Sequence, residues 1–249
     1  MKMKYSKLTH GSLFSGIGGF ELGAEMAGID TLWNCEIERF QGEILKNRFP
    51  HAERFTDITK TTNLRYVDII SGGFPCQDIS VAGKGVGISG KRSGLWSEMF
   101  RIIREVNPRY VLIENSPMLL VRGFERVLCG LSSIGYDAEW KCISNSFFGF
   151  PHKRLRLYVC AYSDKIRRNK IQDETPIFNQ ENKWFQIQRR EFSRISCQSF
   201  WSKDYPEFLR MDNGISDNVH RLEALGNAIN PIIARYLFEC IKVFDNQLV

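Results

Sequence analysis

Three short stretches carry side chains able to do chemistry. In GGFPCQDIS, residues 72–80, Cys76 follows Pro75 behind two glycines, at the end of the apolar run YVDII. Proline fixes its own φ and drives Phe74 to an extended conformation, so the backbone sets the direction of the thiol. A nucleophile gains from such aiming, because a fixed approach removes much of the entropic cost of attack. A lone cysteine more often plugs a gap beside a loop, but the flanking Gly-Gly-Phe-Pro favours the aimed thiol here. VLIENSP delivers Glu114 at the end of a buried apolar run. A carboxyl in a closed, desolvated crevice keeps its proton and can donate it; the plainer role is to cap the next turn. HKRLRLYV sets Arg154 and Arg156 two residues apart, on one face of a strand. Such a pair can clamp a phosphate or a base carbonyl, or guard an edge strand with charge.

A fourth stretch, LFSGIGGFELG, lies between the first predicted strand and helix. Gly16, Gly18 and Gly19 let backbone approach a ligand closely, and the helix N-terminus behind them offers free amides and a positive dipole end. The spacing G-x-G-G departs from the dinucleotide fingerprint G-x-G-x-x-G, which argues against pyrophosphate. A merely tight strand-to-helix turn would use the same glycines. Glu36 ends the second predicted strand about twenty residues later, where doubly wound folds place the acid that grips ribose hydroxyls. Asp57, in FTDIT, stands where a third strand would end and is placed to accept from an adenine amino group. Each acid alone is most simply surface charge. With the glycine turn they outline an adenosine site.

These residues need a scaffold that brings strand ends together. Strands are predicted near 8–14, 30–35, 66–71, 109–114, 137–144 and 155–162. Helical spacing in FELGAEMAG, FQGEILKNRF, GLWSEMFRIIREV and FERVLCGLSSIG falls between them. The alternation predicts an α/β, doubly wound, parallel sheet covered on both faces. After Tyr162 the pattern fails: residues 163–210 are polar, basic and aromatic with little periodicity. Regular structure returns in HRLEALGNAINPIIARYLFECIKVF, with an amphipathic helix starting at Pro231. The expected division is a catalytic domain of residues 1–162 plus 211–249 and a short recognition segment, 163–210.

Composition narrows the function classes. The 249 residues suit one large α/β body, and no apolar stretch approaches the roughly 20 residues that span a bilayer. The basic N-terminus lacks the apolar segment of a secretory signal, so a soluble, cytoplasmic protein with no membrane partner is expected. Seven cysteines are scattered singly with no CxxC pair, which predicts reduced thiols and no metal site. Residues 151–210 hold thirteen Lys or Arg against seven Asp or Glu, and so supply the whole +6 net charge. That excess is interleaved with Trp184, Phe185, Phe192, Phe200, Trp201 and Tyr205, a composition suited to a phosphate backbone as well as to a solvated face.

Taken together and in this order, the blocks resemble the S-adenosylmethionine-dependent DNA cytosine-5 methyltransferases. The likeness covers about residues 8–162 and 210–245: LFSGIGGFELG, Glu36 with Ile37, Asp57 with Ile58, GGFPCQDIS, IENSP, HKRLRLYV and LGNAINP. It implies a Rossmann-like class I methyltransferase fold with a small irregular target-recognition region. It also implies catalysis by Cys76 and Glu114 with Arg154 and Arg156 orienting the base. The cofactor is S-adenosylmethionine, held by Phe14, Gly16, Ile17, Gly18, Gly19, Glu36, Ile37, Asp57, Ile58, Pro75, Leu95, Asn227 and Ala228. Gln77, Ser80, Lys84, Lys91 and Arg92, in a glycine-rich loop, are the expected nucleic-acid contacts. The target base, hidden in a duplex, must be flipped out.

Ser12 stands where many members of the family have Asp, Ser116 where Val is usual and His152 where Gln is usual; none of these is a reacting group. Double-stranded DNA is the implied partner of a monomeric, prokaryotic or phage-encoded enzyme, with a cognate restriction endonuclease as a possible companion. The same chemistry on structured RNA, or a catalytically silent DNA-binding homologue, are the alternatives; the presence of both Cys76 and Glu114 weighs against the silent one. A nicotinamide-dependent oxidoreductase fits neither the G-x-G-G spacing nor the GFPCQ turn.

Overall fold

Runs such as YVLIEN are apolar at nearly every position, so they suit strands buried on both faces rather than half-exposed ones. A computed structural model describes residues 7–75, 94–150, 153–167, 176–179 and 228–246, and in it these runs form the middle of a sheet. The chain runs β1 (Thr9–Leu13), α1 (Gly19–Met26), β2 (Asp30–Cys35), α2 (Arg39–Arg48), β3 (Glu53–Phe55), β4 (Ile69–Gly72) and α3 (Leu95–Val106). There follow β5 (Tyr110–Asn115), α4 (Phe124–Ser133), β6 (Tyr136–Ser144), β7 (Leu155–Ser163), a helical turn α5 (Asp164–Arg167) and α6 (Pro231–Asn246). Cys76, Gln77, Ser80, Lys84, Lys91, Arg92, Asn227 and most of the 163–210 segment lie outside the described residues.

The sheet has seven strands in the order β3-β2-β1-β4-β5-β7-β6. From β1 the chain winds outward through β2 to β3, then returns to β4 on the other side of β1. The carboxyl ends of β1 and β4 therefore exit side by side with their connections leading opposite ways, the point where open α/β sheets form a ligand crevice. The expectation of an all-parallel sheet needs one correction: β7 is antiparallel to both β5 and β6. Among the described residues no α-helix separates β6 from β7, only a 3₁₀ turn at Asn145–Phe148, and a short connection of that kind joins antiparallel strands.

The two faces carry separate cores. On one, the spacing of Trp96, Met99, Ile102, Ile103 and Val106 aims one stripe of α3 at Leu13, Ile70, Val111 and Ile113 of the sheet, alongside Val127 and Leu131 of α4. On the other, α1 and α6 cover Ile69, Leu112 and Cys160 through Phe20, Ala24, Ile233, Leu237 and Phe238. Pro231 opens α6 and Asn230 Oδ1 accepts the Ile232 N–H at 3.0 Å, a side-chain cap for a helix that begins where expected. At the other end of α6, Asp245 accepts from Tyr110 Oη at 2.8 Å and from the Arg109 guanidinium, clamping the last helix to the start of β5.

α1 and α6 approach so closely that glycine is required between them. A Cβ on Gly23 would lie 2.5 Å from Ala234 Cβ and 2.8 Å from Arg235 N. Gly23→Ala is expected to lower stability by about 1–3 kcal/mol through overpacking. Gly130→Ala, whose Cβ would meet nothing nearer than 3.4 Å, should leave stability unchanged or raise it by up to about 1 kcal/mol as a helix-interior glycine is removed. Denaturant melts of the two variants read the difference.

Candidate active site

At the switch point a cavity of about 1010 Å³ opens beyond the ends of β1, β2, β3, β4 and β5. Its first wall is the turn after β1. Phe14 there has φ 54°, a left-handed conformation uncommon for a bulky residue, and Gly16 has φ 57°. Ser15 N–H is held by Cys35 O at 3.1 Å and Gly18 N–H by Ser15 O at 3.0 Å, which curl the chain into α1. Phe14 and Gly16 face the cavity. Ile17, Gly18 and Gly19 do not line it: a Cβ on Gly18 would strike Phe49, and one on Gly19 would strike Ile229, so these two glycines serve close packing.

Glu36 and Ile37 follow β2 directly. The nearly buried Glu36 carboxylate accepts Gly16 N–H at 2.7 Å through Oε2 and Glu38 N–H at 2.9 Å through Oε1. It thus ties the glycine turn to the approach of α2 and leaves acceptor capacity toward the cavity. Ile37 is an exposed apolar side chain, 68% accessible, on the same wall. After β3, Asp57 and Ile58 complete this lobe. Asp57 Oδ1 accepts from Thr59 N at 3.0 Å and Thr59 Oγ1 at 2.7 Å, and these bonds, with Lys60 nearby, hold its proton affinity below the usual carboxylate range.

The opposite lobe belongs to β4, β5 and β7. Gly73, Phe74 and Pro75 leave β4 along the cavity wall, aligned beside the end of β5. Glu114 Oε2 lies 2.9 Å from where a Cβ on Gly73 would stand, so only glycine at 73 lets the carboxyl reach under this turn. Phe74 is buried and packs at 5.4 Å against Trp96, while its carbonyl accepts from Asn115 Nδ2 at 3.1 Å. Asn115 Oδ1 in turn accepts the Ser116 N–H at 2.7 Å. One side chain thereby joins the end of β5 to the turn that leads into Cys76.

Because β7 runs antiparallel to β5, its first residues lie beside the last of β5. That register places Arg154 and Arg156 on the cavity beside Glu114 and makes β7 an inner strand rather than a guarded edge. Arg156 Nε lies 3.0 Å from Glu114 Oε1, yet without hydrogen-bond alignment: Oε1 is buried with no aligned donor. The pair attracts through space without a formed hydrogen bond. Burial pushes the Glu114 carboxyl above its ordinary range, with Arg156 and Arg154 pulling the other way. Leu95, at the start of α3, and Ala228 close the cavity. Glu114, Arg154 and Arg156 therefore share one space with Glu36, Asp57 and Gly16.

Three contributors escaped the motif reading: Gly73, Asn115 and Arg101. The first two sit inside quoted blocks, next to the residues with evident chemistry. Arg101 carried no signal beyond a place on an amphipathic helix. Its Nη2 donates to Ile58 O at 2.8 Å and Thr61 O at 3.1 Å, while Glu98 and Glu105 hold the rest of the guanidinium. It pins the loop that carries Asp57.

An open parallel sheet with one antiparallel strand and a cavity at its switch point is the architecture of a Rossmann-like methyltransferase. Solved structures agree: a putative DNA modification methyltransferase from an Escherichia coli prophage superposes with TM-score 0.66 at 16% identity, covering 96% of this chain and 100% of that one. The Dnmt2 methyltransferase of S. pombe does so with TM-score 0.65 at 18% identity, covering 96% and 100%. The model of the C-5 cytosine-specific DNA methylases matches residues 8–207, and the chain belongs to that family. Similar relatives include the type II methyltransferase M2.BsuMI of Bacillus subtilis, 36% identical over 158 residues, covering 60% of this chain and 41% of that protein. Another is M.CviJI of Paramecium bursaria Chlorella virus IL3A, 30% identical over 232 residues, covering 91% and 57%. The chain spans about half the length of the relatives it matches.

The Arg101 geometry yields a test. Arg101→Ala releases the Asp57 loop and should weaken S-adenosylmethionine binding about tenfold, the scale of one charged hydrogen bond. Isothermal titration should show this while the rate at saturating donor changes little. An unchanged dissociation constant would mean that Arg101 serves folding alone.

Proposed function

We propose that the chain transfers a methyl group to carbon 5 of cytosine in double-stranded DNA, with Cys76 as covalent nucleophile and the target base turned out of the helix. The observation that carries this reading is the placement of Glu114, buried under the Gly73–Pro75 turn beside Arg156, in the same cavity as the adenosine-type lobe.

The cavity fits the family's methyl donor. Glu36 sits between two backbone amides with acceptor capacity to spare for ribose hydroxyls, Ile37 and Ile58 offer apolar surface for adenine, and Phe14 and Gly16 leave room for the amino-acid end. When bound, S-adenosylmethionine supplies a methyl group made electrophilic by its positive sulfur.

The rest is work for the protein. The base is needed outside the duplex because stacking blocks both faces of carbon 6. The Cys76 thiolate adds to carbon 6, forming the carbon–sulfur bond, as Glu114 gives its proton to ring nitrogen 3. Burial favours the protonated carboxyl that this step requires. Electron density moves to carbon 5, which takes the methyl group as the donor's sulfur leaves as a neutral thioether. A solvent base then removes the carbon 5 proton, the carbon–sulfur bond breaks to expel the Cys76 thiolate, and ring nitrogen 3 returns its proton to Glu114, so that one hard substitution becomes two easier steps. Arg154 and Arg156 orient the base carbonyl and offset the negative charge that gathers there.

We assign residues 163–210 to target recognition and Gln77, Ser80, Lys84, Lys91 and Arg92 to the loop that meets DNA. Asn227 joins the cofactor set, and 1–162 with 211–249 form the catalytic domain. The basic excess of 151–210 suits phosphate contacts, which position the protein while a few side chains read base edges. A monomer working alongside a cognate endonuclease completes the proposal.

Incubation with S-adenosylmethionine and duplex DNA containing 5-fluorocytosine should trap a covalent complex through Cys76. Cys76→Ser should abolish the complex and leave donor binding intact; failure of the wild type to trap any duplex, with capture of structured RNA instead, would move the substrate to RNA. Glu114→Gln should slow methyl transfer by about 10²–10⁴-fold, the usual worth of a positioned acid. DNA affinity should fall steeply with added salt, because binding releases counterions from the phosphates and that release gains less free energy as bulk salt rises.

A further inference from the structure

Glu21 belongs to the first turn of α1, yet it is completely buried. Neither of its carboxyl oxygens has an aligned hydrogen-bond partner. Its own backbone N–H and the two hydroxyls of Ser15 and Ser12 stand close enough to ease its ionisation. The hydroxyls are directed at each other instead: Ser15 Oγ lies 3.0 Å from Ser12 Oγ and 3.4 Å from Ser12 O. Ser15 is also the residue whose backbone curls the glycine turn between Cys35 O and Gly18 N. The carboxyl cannot swing clear, because α1 is pressed on α6 at Gly23 and on Ile229 at Gly19.

We infer that Glu21 is a positioning residue for the methyl donor. Its neutral carboxyl donates into the Ser12–Ser15 pair and holds the turn at Phe14–Gly16, whereas its ionised form draws both hydroxyls to itself and loosens that turn. The inference rests on the S-adenosylmethionine reading of the cavity. A buried anion at 21 would also face the Glu36 carboxylate, which must stay in place to hold Gly16 N–H at 2.7 Å and to receive the donor.

The surroundings agree. Charged or titratable groups on the elements packed around α1 are His10 on β1, Asp30 and Cys35 on β2 with Glu36 at its end, Arg39, Glu43, Lys46 and Arg48 on α2, and Arg235, Tyr236, Glu239, Cys240, Lys242 and Asp245 on α6. His10 is neutral, its ring nitrogens bonded to Thr31 and Ser71 hydroxyls at 2.9 and 2.7 Å, and burial lowers its pKa to about 3. Arg48 pairs with Glu25 on the outer side of α1, and Lys242 pairs with Glu239 while bonding Ala27 O at the far end. Glu36 is the one of these that bears on Glu21, and its charge adds to burial in raising the Glu21 pKa to about 7. A group that titrates there changes state within the range in which enzymes are assayed.

If the bound state needs the proton, binding takes one up as pH rises past 7. Donor affinity should then fall about tenfold more between pH 6 and pH 8.5 than in Glu21→Gln, the change expected if the proton is held one pH unit more tightly in the complex. The amino group of S-adenosylmethionine also titrates in this range and affects both proteins alike. Calorimetric titration of the full chain with S-adenosylmethionine, in buffers of different ionisation enthalpy at pH 7, reads the proton directly. A larger uptake by the wild type than by Glu21→Gln supports the role. Identical profiles in both, or a smaller uptake by the wild type than by the variant, overturn it. Should Glu21→Gln not fold, Glu21→Met and a carbon-13 titration of the Glu21 carboxyl with and without donor replace it; a proton affinity that the donor leaves unchanged or lowers overturns the role. No binding of the donor to any form, at any pH, overturns the cavity assignment together with this inference.

Discussion

Leu13 lies opposite Gly72 in the parallel ladder between β1 and β4, and past that pair the two strands part toward opposite sides of the sheet. Backbone hydrogen bonding lets two parallel strands end side by side, but their connections cannot both cross the same face there, so a gap opens between the turns. The Phe14–Gly16 turn and the Gly73–Pro75 turn are the two lips of that gap. The seam is reinforced from inside by His10, which reaches Thr31 on β2 and Ser71 on β4 with its two nitrogens while Phe238 of the last helix packs on its ring at 5.1 Å. Polar groups satisfied this completely can be buried without a large desolvation cost. The pairing also sets where the acids of the two lobes fall, because Glu36, Asp57 and Glu114 each stand at or just past the end of a parallel strand.

The acids then differ by surroundings rather than by type. Glu36 has two backbone amides on its carboxylate, Asp57 has Thr59 and Lys60, and Glu114 has burial and a nearby but unaligned arginine. Amides and hydroxyls that donate to a carboxylate favour its charged form; removal from water favours the neutral one. One family of side chains thus supplies hydrogen-bond acceptors in one lobe and, in the other, a carboxyl whose proton affinity burial raises. The antiparallel course of β7 matters here, for it brings the cationic Arg154 and Arg156 to the edge where the parallel strands end.

Much of this was legible before any coordinates. Alternating apolar runs and amphipathic stretches locate six of the seven strands and the helices that lie between them to within a few residues, since burial on both faces of a strand or on one face of a helix leaves a direct pattern; the three-residue β3, half-exposed at the sheet edge, is missing from the predicted strands. Glu36, Asp57 and Glu114 stand out because each follows or ends such a run, Arg154 and Arg156 because they lie two residues apart on one face where a run begins, and the cavity gathers all five. The direction of β7 was not legible, because periodicity records which residues are buried and not which way a strand runs. Gly18 and Gly19 looked like ligand-facing glycines, yet they answer to Phe49 and Ile229, neighbours contributed by distant parts of the chain.

The residues that hold others in place were the hardest to see. Asn115, Gly73 and Arg101 have ordinary local contexts and gain their meaning only from what lies across from them: the Phe74 carbonyl, the Glu114 carboxyl and the Ile58 carbonyl. Glu21 is the extreme case, a charged residue type in the first turn of a helix, where a favourable dipole would explain it on the surface. The amino-acid sequence by itself determined the elements, the reacting groups and the strand ends that carry them, because those follow from local periodicity and side-chain chemistry. The tertiary structure alone decided which groups meet and which carboxyls are taken out of water, because distance and desolvation are properties of packing between segments far apart in the chain.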